Sequence, residues 1–391
     1  MFSSRLPAEL APNALFRAVE RARRSGNAIL DLTETNPTTV GLPYPADLLD
    51  SLADRRSGIY RPDPLGMLDA RRAIASDYAA RSVAVDATRV VLTASTSEAY
   101  AILFKLLTDP GDAVLVPQPS YPLFELLTKL EGVDAAAYRL QRADDWAIDR
   151  DSVVRAVTSK TRAILVVSPN NPTGSMLRAD DRDWLVATAR EHDLALVSDE
   201  VFADYPISPR PEATSLLGEH RVLTFTLGGL SKSVGLPQVK LAWIVVSGPD
   251  ALVAHAVDRL GLIADSYLSV STPVQTAASR LLESGRAVRD AIAIRIRRNL
   301  DQLRSVARTQ PLVTVLSPEG GWSAVVRVPA TETEEALVLR LLDDAGVLVH
   351  PGYFFDFPEE AFLVLSLLPP PDVFDEATRR IAATVQRAWV S

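Results

Sequence analysis

From about residue 97 the sequence alternates between short runs of Val, Ile and Leu and longer amphipathic stretches. The short runs include AVLVP at 113–117, AILVVSP at 163–169 and LALVSDE at 194–200, and their composition is typical of strands buried on both faces. Buried strands separated by helices indicate a mostly parallel sheet with helices packed on both sides. The alternation therefore predicts an α/β fold.

The order of the predicted elements changes after a long helical stretch from about Asp250 to Arg308. The remaining sequence is predicted to form two strands, a helix, a strand and a final helix, which indicates a second and smaller α+β unit. A chain of 391 residues is also longer than one compact core usually supports. We expect two domains, with the chain entering the larger one near Pro45.

Composition excludes several classes of function. No stretch approaches the roughly 20 apolar residues of a membrane span, and the N-terminus lacks a secretory apolar run. The net charge of −8, without a run of Lys and Arg, argues against nucleic acid. There is no cysteine for disulfides or thiolate sites, and the four histidines lack metal-ligand spacing, so we expect them at the surface or in the core. We expect a cytoplasmic protein with small-molecule partners and no metal, membrane or nucleic acid.

Ligands bind at the carboxyl ends of the strands in an open parallel sheet, so the residues after each predicted strand are candidates for a site. The hydroxyl residues Ser95, Thr96 and Ser97 follow one strand and lead into a helix. Backbone N–H groups and the helix dipole there favour a phosphate, although plain helix capping explains the same residues. Asn171 follows a second strand within Asn-Asn-Pro-Thr-Gly, where an ordinary loop is the alternative.

Two ionisable residues follow further strands. Asp199 ends a buried run, where a carboxylate needs a partner such as a cationic ring nitrogen. Lys232 lies in a small-residue turn, where desolvation would ease the loss of its proton, as imine formation requires; a solvated loop lysine is the alternative. Ser231 stands where a Walker A phosphate loop requires glycine, which excludes that motif. Tyr121 places an aromatic ring where it could cover a flat cofactor.

The sequence resembles the class I/II aminotransferases in the order and spacing of these features. They are the hydroxyl residues 95–97, the aromatic Tyr121, the Asn-Pro-Thr-Gly segment that begins at Asn171, the acid Asp199 and the Ser-Lys pair that ends at Lys232. These enzymes use pyridoxal 5′-phosphate and belong to the fold type I, aspartate aminotransferase superfamily. Two further segments match the family, Tyr60 to Gly66 and Val349 to Phe354. The resemblance runs from about Asp31 to the C-terminus and covers nearly the whole chain.

The resemblance implies an architecture as well. A mostly parallel, seven-stranded-type sheet sandwiched by helices would form a large cofactor-binding domain at residues 47–289. The smaller α+β domain would comprise residues 290–391, joined by the N-terminal segment 1–46.

The resemblance implies catalytic roles for three residues. Lys232 would carry the cofactor as a Schiff base and then move a proton between the substrate Cα and the cofactor. Asp199 would keep the pyridine nitrogen protonated, so that the ring can accept electrons. Tyr121 would stack on the ring.

The resemblance also implies binding residues. Asn171 would bond the phenolic oxygen of the cofactor close to the substrate carboxylate. Apart from the resemblance, the loop amides near Asn36 are candidates for binding that carboxylate. Tyr60 would reach the phosphate of the neighbouring subunit, which implies a homodimer with shared active sites. The other implied cofactor-binding residues surround the phosphate: Ser95, Thr96, Ser97, Ser231 and Lys240.

The sequence departs from the family pattern within the site. Lys240 stands where the family usually has an arginine that grips the phosphate, so the bidentate fork is lost. Phe202 replaces a tyrosine whose hydroxyl supports the phenolic oxygen, and Tyr205 is a candidate substitute. Val364 replaces the arginine that binds the substrate α-carboxylate. Arg327 on the preceding strand is a candidate replacement, although an ordinary surface arginine is the better explanation of this residue.

We therefore predict an aminotransferase that transfers an amino group between an amino acid or amine and a keto acid through a Schiff base on Lys232. The same fold supports other carbanion chemistry, so a lyase, decarboxylase or oxidase acting on an amine or amino acid is the alternative. A non-catalytic binding or regulatory protein is a third hypothesis, and the retention of Lys232 and Asp199 argues against it.

Overall fold

A computed structural model of the chain describes residues 2–7, 11–142 and 146–390. In chain order the helices are α1 (Ala14–Arg24), α2 (Leu68–Ala79), α3 (Thr96–Leu107), α4 (Leu123–Glu131), α5 (Arg150–Ala156), α6 (Ala179–Glu191), α7 (Leu230–Ser233), α8 (Asp250–Asp265), α9 (Thr272–Ser284), α10 (Arg286–Thr309), α11 (Glu334–Ala345) and α12 (Pro371–Val390). Short 3-10 helices lie at Asp50–Ala53, Arg55–Gly58, Ala87–Arg89, Pro237–Val239 and Gly352–Phe355. Within the described ranges, no helix combines the length and apolarity needed to cross a membrane.

The strands fall into three sheets. In chain order they are β1 (Leu30–Asp31), β2 (Val90–Thr93), β3 (Ala113–Gln118), β4 (Asp134–Arg142), β5 (Trp146–Ile148), β6 (Thr161–Val167), β7 (Ala195–Asp199), β8 (Thr224–Gly229), β9 (Ala242–Ser247), β10 (Thr314–Leu316), β11 (Ser323–Arg327), β12 (Val347–Leu348), β13 (His350–Pro351) and β14 (Phe362–Ser366). The large sheet has the order β2-β9-β8-β7-β6-β3-β4-β5.

The large sheet is mostly parallel, as the sequence predicts. Strands β4, β3, β6, β7 and β8 run parallel, whereas β9 is antiparallel to both β8 and β2. The sheet has one strand more than expected, because β5 pairs antiparallel with the end of β4. Sequence analysis missed β4 and β5 because this edge of the sheet is largely exposed and lacks a continuous apolar run.

Both faces of the large sheet are buried. Val114 and Val116 of β3 pack in one core with residues of α3, α4 and α8, whereas Leu115 between them packs with residues of α5 and α6. In β6, Leu165 packs in the same core as Val114, and Ile164 packs in the same core as Leu115. Successive side chains of a strand point to opposite faces, so a strand covered on both sides requires a continuous apolar run.

The C-terminal third forms a smaller sheet of order β10-β11-β14-β13 with antiparallel neighbours. The N-terminal segment lies beside this unit, because β1 pairs in parallel with β12 and Leu32 shares a core with Val338 and Phe374. Helix α10 continues across residues 289 and 290 without a break. The domain boundaries at 46/47 and 289/290 therefore stay predictions.

Asn299 anchors α10 to the segment between β14 and α12. The residue is fully buried, and its Nδ2 donates hydrogen bonds of 2.9 Å to the carbonyl oxygens of both Leu367 and Pro369. Neither carbonyl belongs to a strand or to a helix interior, so the side chain replaces the backbone partners that regular structure would supply.

We predict that Asn299→Ala lowers the urea midpoint of unfolding, because it leaves buried carbonyl oxygens unpaired at roughly 1–3 kcal/mol each. The measurement is urea denaturation followed by circular dichroism. Asn27→Ala, at an exposed position, is the matched control and should leave the midpoint unchanged. Equal midpoints for Asn299→Ala and wild type would contradict this anchoring role.

Candidate active site

A cavity of about 250 Å³ lies where the carboxyl ends of β6 and β7 face the small sheet. The turn after β8, the first turn of α3 and the strands β11, β13 and β14 complete its walls. The described lining includes aliphatic side chains, among them Val364, and the aromatic side chains Phe124, Phe202, Trp322 and Phe355. Its polar side chains are Thr33, Thr35, Thr96, Ser97, Tyr100, Tyr121, Asn171, Asp199, Lys232, Ser323, His350 and Ser366. The sheet edge therefore gathers most of the residues that the sequence places after separate strands.

Lys232 lies in α7, a single turn that follows β8 directly. Its Nζ lies 4.7 Å from the ring centroid of Trp322 and 5.5 Å from that of Phe202. Burial lowers the pKa of Lys232 to about 8, and the carboxylate of Asp199 opposes this shift. An amine with this pKa is neutral in about one-tenth of molecules at pH 7, so a minor neutral population can act as a nucleophile and as a base.

Two hydrogen bonds fix the backbone of the Lys232 turn. Tyr205 is fully buried, and its hydroxyl donates to the carbonyl oxygen of Lys232 at 2.6 Å. Arg289 Nε donates to the carbonyl oxygen of Ser233 at 2.8 Å. The hydroxyl of Tyr205 already donates to this backbone. This argues against the prediction that Tyr205 supplies the hydroxyl that Phe202 lacks.

Asp199, at the end of β7, is buried and holds two hydrogen bonds. Its Oδ2 accepts from the hydroxyl of Tyr100 at 2.9 Å, and its Oδ1 accepts from the backbone N–H of Val201 at 3.1 Å. Burial raises the pKa of Asp199, and both hydrogen bonds act in the opposite direction because they favour the carboxylate. A cation in the cavity would favour the carboxylate further.

Tyr100 is a site residue that sequence analysis missed. Burial raises the pKa of its hydroxyl well above the ordinary value, and the neighbouring charge of Asp199 adds to this, so the hydroxyl stays protonated as a donor. A signal was present in the sequence, because Tyr100 lies four residues after Thr96 in one helix. Residues at this spacing share a helix face, and Thr96 also lines the cavity.

The three hydroxyl residues before and within the first turn of α3 do not all face the cavity. Thr96 and Ser97 line the cavity in the first turn of α3. Ser95 is the N-cap of that helix, and its hydroxyl accepts from the backbone N–H of Glu98 at 3.1 Å. Ser95 is not among the described residues of the cavity lining, so helix capping explains it and its cofactor role stays a prediction.

Asn171 and Tyr121 both line the cavity. Asn171 follows β6, and its Oδ1 accepts from the hydroxyl of Ser323 at 3.3 Å, so it connects the large sheet with β11. Tyr121 follows β3 and is 46% exposed, which places its ring at the mouth of the cavity rather than in the core. Their roles toward a cofactor stay predictions.

Besides Ser95, four further predicted site residues lie outside the described cavity lining. Asn36 is exposed, and its Oδ1 accepts from the backbone N–H and hydroxyl of Thr38 in a local turn. Lys240 is also exposed, Ser231 is half-buried, and Tyr60 lies in a separate surface cleft. Thr33 and Thr35 occupy the cavity wall near which Asn36 was expected.

The carboxylate-binding position has no arginine among the described lining residues. Val364 of β14 lines the cavity, as its place in the family pattern implies. Arg327 is exposed at the far end of β11, four residues and about 13 Å along the strand from Ser323. Within the described lining, the side chains that can carry positive charge are Lys232 and His350.

Comparison with known proteins identifies the family. The family model for aminotransferase class I and II matches residues 46–381. Alanine aminotransferase of Mycobacterium tuberculosis is 29% identical over 94% of this chain and 86% of its own length. Glutamate-pyruvate aminotransferase AlaA of Escherichia coli is 25% identical over 94% of this chain and 93% of its own length.

The fold has close structural relatives. A solved structure of alanine aminotransferase from Pyrococcus furiosus superimposes with a TM-score of 0.88, covers 99% of this chain and 100% of its own, and is 23% identical. The superposition confirms the predicted fold class. Because the family model spans most of the sequence, including Asn171, Asp199 and Lys232, the chain belongs to the class I and II aminotransferases.

Proposed function

We propose that the protein transfers an amino group between an α-amino acid and a keto acid, with pyridoxal 5′-phosphate held covalently by Lys232. The observation that carries the proposal is the placement of a lysine amine with a pKa of about 8 in one cavity with the buried carboxylate of Asp199. The names of the two relatives support glutamate as donor and pyruvate as acceptor, with alanine as the product in this direction and as the donor in the reverse direction.

The donor set of the cavity fits this cofactor. Asp199 would pair with the ring nitrogen, and Thr96 and Ser97 at the N-terminus of α3 would hold the phosphate. Asn171 would bond the phenolic oxygen, and Tyr121 would cover the ring. When bound, the cofactor withdraws electrons from the substrate and so stabilises negative charge at its Cα. We assign Ser95, Ser231 and Lys240 to the surroundings of the phosphate by family resemblance.

Lys232 is the residue that would move the substrate proton. Its Nζ is neutral in part of the population near neutral pH, so it can accept a proton from the substrate Cα. Once protonated, the amine lies near the faces of Phe202 and Trp322, which attract a cation. The hydrogen bonds from Tyr205 and Arg289 keep its turn in place during this exchange.

Other chemistry on this fold is less well supported. A lyase, decarboxylase or oxidase could use the same lysine and acid. The two relatives described above match over most of their length and carry aminotransferase names, and the family model describes aminotransferases. Transamination is therefore the activity that we propose, acting on small molecules in the cytoplasm without a nucleic-acid or membrane partner.

We also propose a homodimer in which Tyr60 reaches the phosphate site of the other subunit. Ile59, Tyr60, Leu262 and Tyr267 are each more than half exposed, at 54%, 73%, 75% and 53%. Tyr60 and Tyr267 line one surface cleft, and exposed apolar patches of this kind mark interaction surfaces.

Incubation of the holoenzyme with L-alanine or L-glutamate, without a keto acid, tests the proposed activity. We expect the donor's keto acid in an amount equal to the bound cofactor and no ammonia, because the amino group stays on the enzyme. Lys232→Ala is the control and should form no keto acid. Ammonia released in step with turnover would indicate elimination or oxidation, and carbon dioxide would indicate decarboxylation; either outcome contradicts transamination.

Tyr60→Phe tests the shared site. We expect the wild type to sediment as a dimer, and Tyr60→Phe to remain dimeric while binding pyridoxal phosphate about ten-fold more weakly, because a hydrogen bond to a charged phosphate is lost. Tyr353→Phe is the matched control at another exposed tyrosine. A monomeric wild type, or unchanged cofactor affinity in Tyr60→Phe, would count against this arrangement.

A further inference from the structure

His350 places an imidazole in the cavity wall. It belongs to β13 and lines the cavity that contains Lys232. Its Nδ1 is buried without a hydrogen-bond partner among the described residues. The rings of Phe354 and Phe355 lie 5.8 Å from the imidazole, so apolar packing holds it in place. A structural histidine in a core would ordinarily be hydrogen-bonded.

The register of the small sheet places His350 beside Val364. The two residues are directly opposite each other in the antiparallel pair of β13 and β14. Opposite residues of such a pair point to the same face, with Cβ atoms about 4.5–5.5 Å apart. Both line the cavity. An imidazole therefore stands next to the position where the family pattern has its carboxylate-binding arginine and this chain has valine.

Charged and hydroxyl groups lie around His350 on both the large-sheet and the small-sheet side. Lys232 and Asp199 line the same cavity from the large sheet, together with the hydroxyls of Tyr100 and Tyr121. On the small-sheet side, Oδ1 of Asp31 in β1 accepts hydrogen bonds from the backbone N–H of Thr33 at 2.8 Å and from its hydroxyl at 2.6 Å.

Two opposing effects act on the protonation of His350. Burial lowers the pKa of His350 below its ordinary value, and the charge of Asp31 opposes the shift. A carboxylate in the cavity would also favour the imidazolium.

We propose that His350 binds the carboxylate of the amino-acid and keto-acid substrates, in place of an arginine at position 364. This role rests on the proposed aminotransferase activity, because it supposes substrates with an α-carboxylate. The two N–H groups of a protonated imidazole point apart, so it donates one charge-assisted hydrogen bond to a given carboxylate, whereas a guanidinium can donate two in a planar fork. Binding a carboxylate here takes up a proton, because the ring is mostly neutral in the free site at neutral pH and charged in the complex.

The test uses two unreactive probes of similar shape on the holoenzyme, propionate and the neutral propionamide, with affinities measured by calorimetry. For the wild type we expect propionate to bind more tightly as the pH falls from about 8 toward about 6, whereas propionamide binding stays constant. His350→Gln should weaken propionate about 10- to 100-fold at the lower pH, remove its pH dependence and leave propionamide unchanged. His192→Gln, at an exposed position, is the matched control and should behave as wild type.

Equal weakening of both probes in His350→Gln would show a structural role and overturn the proposal. If His350→Gln does not fold, the wild type alone still tests the proposal. A wild-type affinity for propionate that does not change with pH would overturn the proposed role of His350. The alanine half-reaction separates the two claims. A His350→Gln enzyme that transaminates and keeps wild-type propionate binding overturns only this role of His350. A wild type without keto-acid formation but with His350-dependent propionate binding overturns only the aminotransferase activity.

Discussion

The burial of Lys232 and Asp199 in one cavity is the constraint on which the site depends. Taking either charge out of water alone would cost several kcal/mol. Burial lowers the pKa of the lysine and raises that of the aspartate, so each charge gains from a partner of opposite sign. The fold offsets the desolvation cost differently for the two residues. Asp199 receives hydrogen bonds from Tyr100 and Val201, whereas the lysine amine lies against aromatic rings and can lose its proton.

A buried ionic cluster behind the cavity holds the Lys232 turn. Asp77 and Asp204 have side chains that are 4% and 6% exposed, and both contact Arg81 and Arg289. Arg289, on α10, also donates to the carbonyl of Ser233. A helix that packs on the small unit through Asn299 thereby fixes the reactive turn of the large sheet. Removing Asp77 or Asp204 would leave the two arginines to share one carboxylate.

Much of the fold could be predicted from sequence because β3, β6 and β7 are buried on both faces and must be continuously apolar. The exposed edge strands β4 and β5 carry no such signal. Asn171, Asp199 and Lys232 could be predicted to meet because the carboxyl ends of parallel strands share one edge. The family match confirms the aminotransferase prediction.

The rest of the site depends on tertiary packing. Trp322 and His350 reach the cavity only because the small sheet closes over the large one, and local periodicity does not encode that contact. The histidines were expected at the surface or in the core, yet His350 lines the cavity. Asn36 was predicted to contribute to substrate binding, but its side chain is engaged in its own turn.

The most direct test of this account is the site of covalent cofactor attachment. The chain has five lysines, Lys105, Lys129, Lys160, Lys232 and Lys240. Holoenzyme would be reduced with borohydride and digested, and the labelled peptide identified by mass spectrometry. The label should lie on Lys232, persist in the exposed control Lys129→Ala and disappear in Lys232→Ala. A label on another lysine of the wild type, or one that survives in Lys232→Ala, would contradict the account.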